Sequence, residues 1–184
     1  LELSSWAGAD TCIVLGHSMG GMVAQEMTAL APRRIAGLVL SATSPAFGKP
    51  DGAWQERFLR ERLKPLDEGQ GMAALASGLV RAMCAPGAGE IALDVASNLM
   101  ARVPEATYRQ ALKSLMGFDR REGLPLIGVP VLALAGEVDP NAPPAVMQAM
   151  AARIPTAEYQ CLPGVGHLAN IEAPDLFNAA VVAF

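Results

Sequence analysis

The residues best suited to chemistry lie in Leu15-Gly16-His17-Ser18-Met19-Gly20-Gly21. The apolar run Thr11-Cys12-Ile13-Val14-Leu15 leads into this stretch, and a helical pattern leaves it. Glycines two residues before and two after a serine permit a strand-to-helix turn so tight that the hydroxyl stands exposed at its tip, a nucleophile elbow. The Gly-x-Ser-x-Gly pattern is weak alone and gains its force from this strand-turn-helix context. A serine hydroxyl is a poor nucleophile until a base takes its proton, and histidine does this near neutral pH. The chain has two histidines, His17 and His167. Successive residues at a turn diverge, so His17 should point its ring away from the Ser18 hydroxyl and serve packing or pocket shape. His167, in the glycine-rich Pro163-Gly164-Val165-Gly166-His167-Leu168, is the candidate base. A carboxylate must then hold the imidazole in the right tautomer and stabilise it when charged. Asp139, in Gly136-Glu137-Val138-Asp139-Pro140, suits that role. Asp119 competes, but Arg120 and Arg121 beside it offer an ordinary ion pair and no strand pattern precedes it; Glu137 is a more distant alternative.

Three loops must therefore be positioned, and the hydrophobic pattern indicates how. Thr11 to Leu15, Ile35 to Ser41 and Val129 to Ala135 are apolar without alternation, as expected of parallel strands covered on both faces. Ala157 to Leu162 carries Glu158 and Gln160 and reads as a strand nearer an edge. Helical stripes separate them. Met19, Met22, Val23, Met27 and Leu30 form one, with Gln25 and Glu26 turned outward and Pro32 as the stop. Val146, Met147, Met150, Ala151 and Ile154 form another, and Phe177, Val181 and Phe184 a third opened by Pro174. Leu1, Leu3 and Trp6, with Gly8 as a left-handed closing residue, read as the end of a helix. The fold class is thus α/β, a parallel sheet of about four strands flanked by helices. Ser18, Asp139 and His167 each follow a strand at its C-terminal end, the rim where ligands bind in open α/β sheets.

The β-α alternation stops between residues 44 and 117, where helical patterns too long for a loop replace it. Trp54 and Phe58 lie one turn apart; Met72, Leu75, Ala76, Leu79, Val80 and Met83 form a stripe; Ile91, Val95 and Leu99 continue it; and Tyr108, Ala111, Leu112, Leu115 and Met116 make the last. These helices read as an inserted cap, dividing the chain into 1–43, 44–117 and 118–184. The methionines could line an adaptable apolar pocket, although filling core between cap and body is the commoner use of that residue.

Composition narrows the function classes. With 52% hydrophobic and 17% charged residues among 184, the chain can bury a substantial core. Fourteen basic against eighteen acidic residues give a net charge of -4, without a block of like charges to track a phosphate backbone or an anionic bilayer. Nucleic acid and membrane are therefore not expected partners. Cys12, Cys84 and Cys161 are odd in number and far apart, which fits free thiols in a reducing, cytoplasmic compartment.

Gly-His-Ser-Met-Gly-Gly at 16–21, Gly-Glu-Val-Asp-Pro at 136–140 and Gly-Val-Gly-His at 164–167 together resemble the α/β-hydrolase superfamily, in its esterase and 3-oxoadipate enol-lactonase-like branch. The resemblance implies that Ser18 attacks an ester or lactone carbonyl, that His167 shuttles the proton, that Asp139 orients His167, and that no metal or organic cofactor is required. Serine at the elbow, in place of aspartate, argues against the haloalkane dehalogenase and epoxide hydrolase branches. Members usually carry about four strands before the elbow and a His-Gly-type loop that supplies one of two oxyanion donors; fewer than twenty residues precede Ser18 here. The expectation is a fragment of a longer hydrolase, with the Met19 backbone N–H as the remaining donor. The strand at 11–15 would then be an apolar edge able to pair with another copy. Carbon–carbon hydrolysis or cofactor-free perhydrolysis on the same triad, and a non-catalytic module holding a small apolar ligand, are the alternatives.

Overall fold

In a computed structural model, which describes residues 2–48 and 52–184, the chain folds around four parallel strands: β1 (Cys12–His17), β2 (Ile35–Ser41), β3 (Val131–Gly136) and β4 (Ala157–Leu162). Their spatial order is β1-β2-β3-β4, so β1 and β4 form the two edges of this sheet. The polar β4 stands where its sequence places it. Helix α1 (Glu2–Trp6) precedes the sheet and closes with Gly8 at φ +72°; Leu1 lies outside the described residues. Helix α2 (Met19–Leu30) joins β1 to β2. Between β2 and β3 run α3 (Ala53–Asp67), α4 (Met72–Arg81), α5 (Glu90–Ala101) and α6 (Glu105–Ser114). Helix α7 (Pro144–Ala151) connects β3 to β4, and α8 (Ala169–Glu172) and α9 (Pro174–Ala183) complete the chain. No helix among the described residues is long and apolar enough to cross a membrane.

Side chains alternate across a strand, and the two central strands are apolar in both phases, so the sheet carries a core on each face. On one face Leu38 and Leu40 of β2 and Val131, Ala133 and Ala135 of β3 pack with Ala24 of α2 and Met147 and Met150 of α7. On the other, Val39, Leu132, Leu134 and Leu162 pack with Phe177 and Ala180 of α9. All six residues of β3 are buried. Strand β1 departs from the expectation of two covered faces. Cys12 and Val14 pack against the first core, but Ile13 is 66% and Leu15 45% exposed, because the α9 side of the core reaches only from β2 to β4.

Two helices bury a different face from the one their large apolar residues suggest. In α2 the buried residues are Gly21, Ala24, Gln25 and Thr28, whereas Val23 and Leu30 are exposed. At its first turn the helix lies so close to the strand ends that not even a β-carbon fits beneath it. A β-carbon on Gly21 would stand 2.6 Å from Thr43 Cβ. Gln25, expected to face outward, is buried and donates its amide N–H to the carbonyls of Gly21 and Ser44. Glu26 does face outward, where it pairs with Arg120. In α5 the stripe Ile91, Val95 and Leu99 is exposed, and Leu93 and Ala96 pack instead with Val80 and Cys84. Helix α4 follows its pattern, burying Met72, Ala76 and Val80.

Candidate active site

The elbow forms because glycines stand just inside both elements it joins, Gly16 one residue before the end of β1 and Gly20 and Gly21 in the first turn of α2. A β-carbon on Gly16 would lie 2.3 Å from the Gly20 carbonyl oxygen, an approach that only glycine permits. Ser18 itself takes φ +52° and ψ -120°, a conformation that costs a serine about 1–3 kcal/mol and must be held from outside. Hydrogen bonds from the strand, the helix and the chain after β2 hold it. The Ser18 N–H donates to the Ser41 carbonyl at 2.8 Å, the Gly21 N–H donates to the Ser18 carbonyl at 2.9 Å, and the buried Thr43 hydroxyl donates to the same carbonyl at 2.7 Å. Met19 opens α2, where the leading N–H groups of a helix have no carbonyl one turn earlier to accept them.

The other two residues arrive from the far side of the sheet. Asp139 leaves β3 in a short turn whose backbone is laced to the loop after β4: the Glu137 N–H donates to the Leu162 carbonyl and the Val138 N–H to the Val165 carbonyl, both at 3.0 Å. This lacing sets Asp139 beside His167. His167 Nδ1 lies 2.8 Å from Asp139 Oδ2, and His167 Nε2 lies 2.9 Å from Ser18 Oγ. Hydroxyl, imidazole and carboxylate therefore form one hydrogen-bonded row, with Asp139 3% and His167 4% exposed.

The electrostatics suit that row. Burial alone would raise the Asp139 carboxyl, but the His167 ring and the backbone N–H groups of Asn141 (2.7 Å) and Ala142 (3.0 Å) hold it below the usual carboxylate range. A charged Asp139 favours the tautomer of His167 with the proton on Nδ1, which leaves Nε2 as acceptor for the serine proton. His17 lies on the other side, its ring centroid 5.1 Å from that of His167 and its Nδ1 3.3 Å from Ser41 Oγ. Burial first, and then the proximity of His167, push the His17 pKa down to about 4, with Asp139 opposing. His17 is thus a neutral wall at physiological pH.

The competing carboxylates are engaged elsewhere. Asp119 pairs with Arg121, whose hydrogen bonds lower its pKa to about 2, and Glu137 accepts the Gly164 N–H at 2.7 Å. Of the methionines, Met147 and Met150 are core residues, and Met147 Sδ accepts the Thr43 N–H at 3.2 Å. Sequence reasoning passed over Ser41, Thr43 and Glu172. The first two had a usable signal, since polar residues closing an otherwise apolar buried strand call for a buried partner.

Comparison with known proteins follows the same lines. Residues 2–180 match the model of the alpha/beta hydrolase family. The 3-oxoadipate enol-lactonase 2 of Acinetobacter baylyi is 29% identical over 173 residues, 91% of this chain and 61% of that protein. The polyketide synthase ThaQ of Burkholderia thailandensis is 30% identical over 99% of this chain, which spans only 9% of the synthase. Among solved structures, a thermophilic esterase from Thermogutta terrifontis superposes with a TM-score of 0.85 at 26% identity, covering 98% of this chain and 67% of the esterase. The enol-lactonase from Burkholderia xenovorans gives 0.84 at 27% identity, covering 98% and 68%. The matched span runs from α1 into α9 and takes in all four strands and the three loops at their rim, and on that ground the chain belongs to the alpha/beta hydrolase family.

Proposed function

We propose that this chain carries the catalytic machinery of a serine hydrolase that cleaves a carboxylic ester or lactone through an acyl-enzyme, with Ser18 as nucleophile, His167 as base and Asp139 as its orienting carboxylate. The observation that carries the reading is the unbroken row from Ser18 Oγ through the His167 ring to Asp139, with both links under 3 Å. As Ser18 Oγ bonds to the carbonyl carbon, its proton passes to His167 Nε2, and Asp139 stabilises the imidazolium without taking the proton. The carbonyl oxygen becomes an oxyanion facing the Met19 N–H at the start of α2, a donor of a kind typically worth ~10²- to 10³-fold in rate. When the tetrahedral intermediate collapses, His167 returns the proton to the leaving alcohol. Water, deprotonated by the same imidazole, then releases the acid and regenerates Ser18.

Helices α3 to α6, inserted between β2 and β3, act in this reading as a cap over the rim. The enol-lactonase and esterase relatives support an ester or lactone as the substrate class. A fluorophosphonate probe tests the assignment. It should label the wild-type protein at Ser18 and leave Ser18→Ala unlabelled; a wild-type protein that takes no label ends the proposal.

A further inference from the structure

The loop that carries His167 is pinned from above as well as from below. Below it, β3 ends on Gly136, where a β-carbon would stand 2.2 Å from the Gly166 carbonyl oxygen. Above it runs the turn between α4 and α5: a β-carbon on Gly166 would stand 2.4 Å from the Ala85 backbone nitrogen, and the His167 N–H donates to the Met83 carbonyl at 2.9 Å. The residue that fastens these layers is Glu172, at the end of α8. Its Oε1 accepts the Leu168 N–H at 3.0 Å, and its Oε2 accepts both the Gly166 N–H at 3.1 Å and the Ala85 N–H at 2.8 Å.

Capping of α8 alone would account for the bond to Leu168, one turn back in the chain. It does not account for the other two. The Gly166 bond brackets His167 from its N-terminal side, and the Ala85 bond reaches a segment 87 residues distant. We propose that Glu172 is a positioning residue, whose carboxylate joins the cap to both neighbours of His167 and so keeps the imidazole within reach of Ser18. The proposal rests on the triad reading above. Its physical basis is the donor set: three N–H groups converge on one carboxylate, charge-assisted bonds that no other side chain of that length can accept together. Glutamine presents one oxygen and an amide group that would confront an N–H, and aspartate falls short by one methylene.

Glu172→Gln and Glu172→Asp, made in the protein carrying this chain, test it. Amide hydrogen exchange at residues 85, 166 and 168 should accelerate at least tenfold in both variants. With p-nitrophenyl acetate, kcat should fall about 10- to 100-fold while KM stays within about threefold, since loop displacement harms proton transfer more than binding. A residue that served stability alone would lower Tm and leave kcat unchanged well below the melting range; that result, or unaltered exchange at the three amides, overturns the proposal while leaving the triad intact. Failure of the wild-type protein to take the fluorophosphonate label would instead remove the triad reading, and the positioning role with it.

Discussion

Replacing Gly166 with alanine puts a methyl carbon 2.4 Å from the Ala85 nitrogen, 2.7 Å from the Cys84 carbonyl carbon and 2.8 Å from the Met83 oxygen. Ordinary contact begins at about 3.4 Å, so the loop and the turn must separate by about 1 Å. The neighbours are backbone atoms, which cannot swing aside as a flexible side chain would. The loop has no room to sink, because Gly136 already underlies it with no space for a β-carbon. The separation therefore strains the His167–Met83 and Glu172–Ala85 hydrogen bonds, and the displacement passes to the imidazole. The Nε2–Oγ distance is 2.9 Å, and a shift of about 1 Å along that line takes it beyond hydrogen-bonding range. Misplacement of this size costs about 10²-fold in rate. Steady-state hydrolysis of p-nitrophenyl acetate, with Tm measured alongside, should show kcat down about 100-fold. Gly78→Ala is the control: Gly78 lies inside α4 with no atom near its β-carbon position, and alanine is the better helix former, so Tm should hold or rise and kcat should hold. A Gly166→Ala protein with kcat within twofold of its parent and unchanged Tm would refute the argument that the turn sets the imidazole.

Asp139→Asn should preserve the fold and lower kcat by about 10⁴-fold, the loss expected when the tautomer is wrong, as judged by the same ester assay beside a circular dichroism spectrum. His17, with its folded pKa lowered to about 4, stays neutral while the unfolded chain protonates near 6.5; its contribution is therefore present above pH 6.5 and is lost as pH falls toward 4. That loss amounts to about 3 kcal/mol, and urea midpoints at pH 7 and pH 4 should show it in the wild-type protein and not in His17→Gln. Ile91→Ser, at a position 83% exposed, should change the unfolding free energy obtained by urea titration by less than about 0.5 kcal/mol; a loss of about 2 kcal/mol or more would mean that the α5 stripe is covered.

The positions of Ser18, Asp139 and His167 were legible because each signal is local. A serine between glycines, an acid after an apolar run and a histidine in a glycine-rich loop can each be found without knowing what lies across the sheet. The strands were equally plain, since β2 and β3 are buried on both faces and apolar in both phases. What the pattern misread was the phase of α2 and α5. Hydrophobic periodicity weighs large side chains most, but α2 presses small ones onto the strand ends, so Gly21, Ala24 and Thr28 mark its inner face while Val23 and Leu30 stand out. Glu172 escaped notice for a different reason. Its partners at 85, 166 and 168 are backbone N–H groups, which every residue but proline possesses, and nothing in a string of letters distinguishes the three that it binds.

The meeting of the α4–α5 turn with the His167 loop through main-chain atoms bears on how such a molecule can diversify. Main-chain bonds from Met83 and Ala85 ask little of the side chains in the turn itself, so the helices on either side can vary wherever they do not pack, as Val80, Leu93 and Ala96 do, in the cluster that includes Leu168 and Ile171. If helices α3 to α6 cap the rim as proposed, grafting those of a relative onto this sheet, with residues 83–85 and the contacts to Leu168 and Ile171 retained, should exchange the ligand accepted while the row from Ser18 to Asp139 keeps its distances.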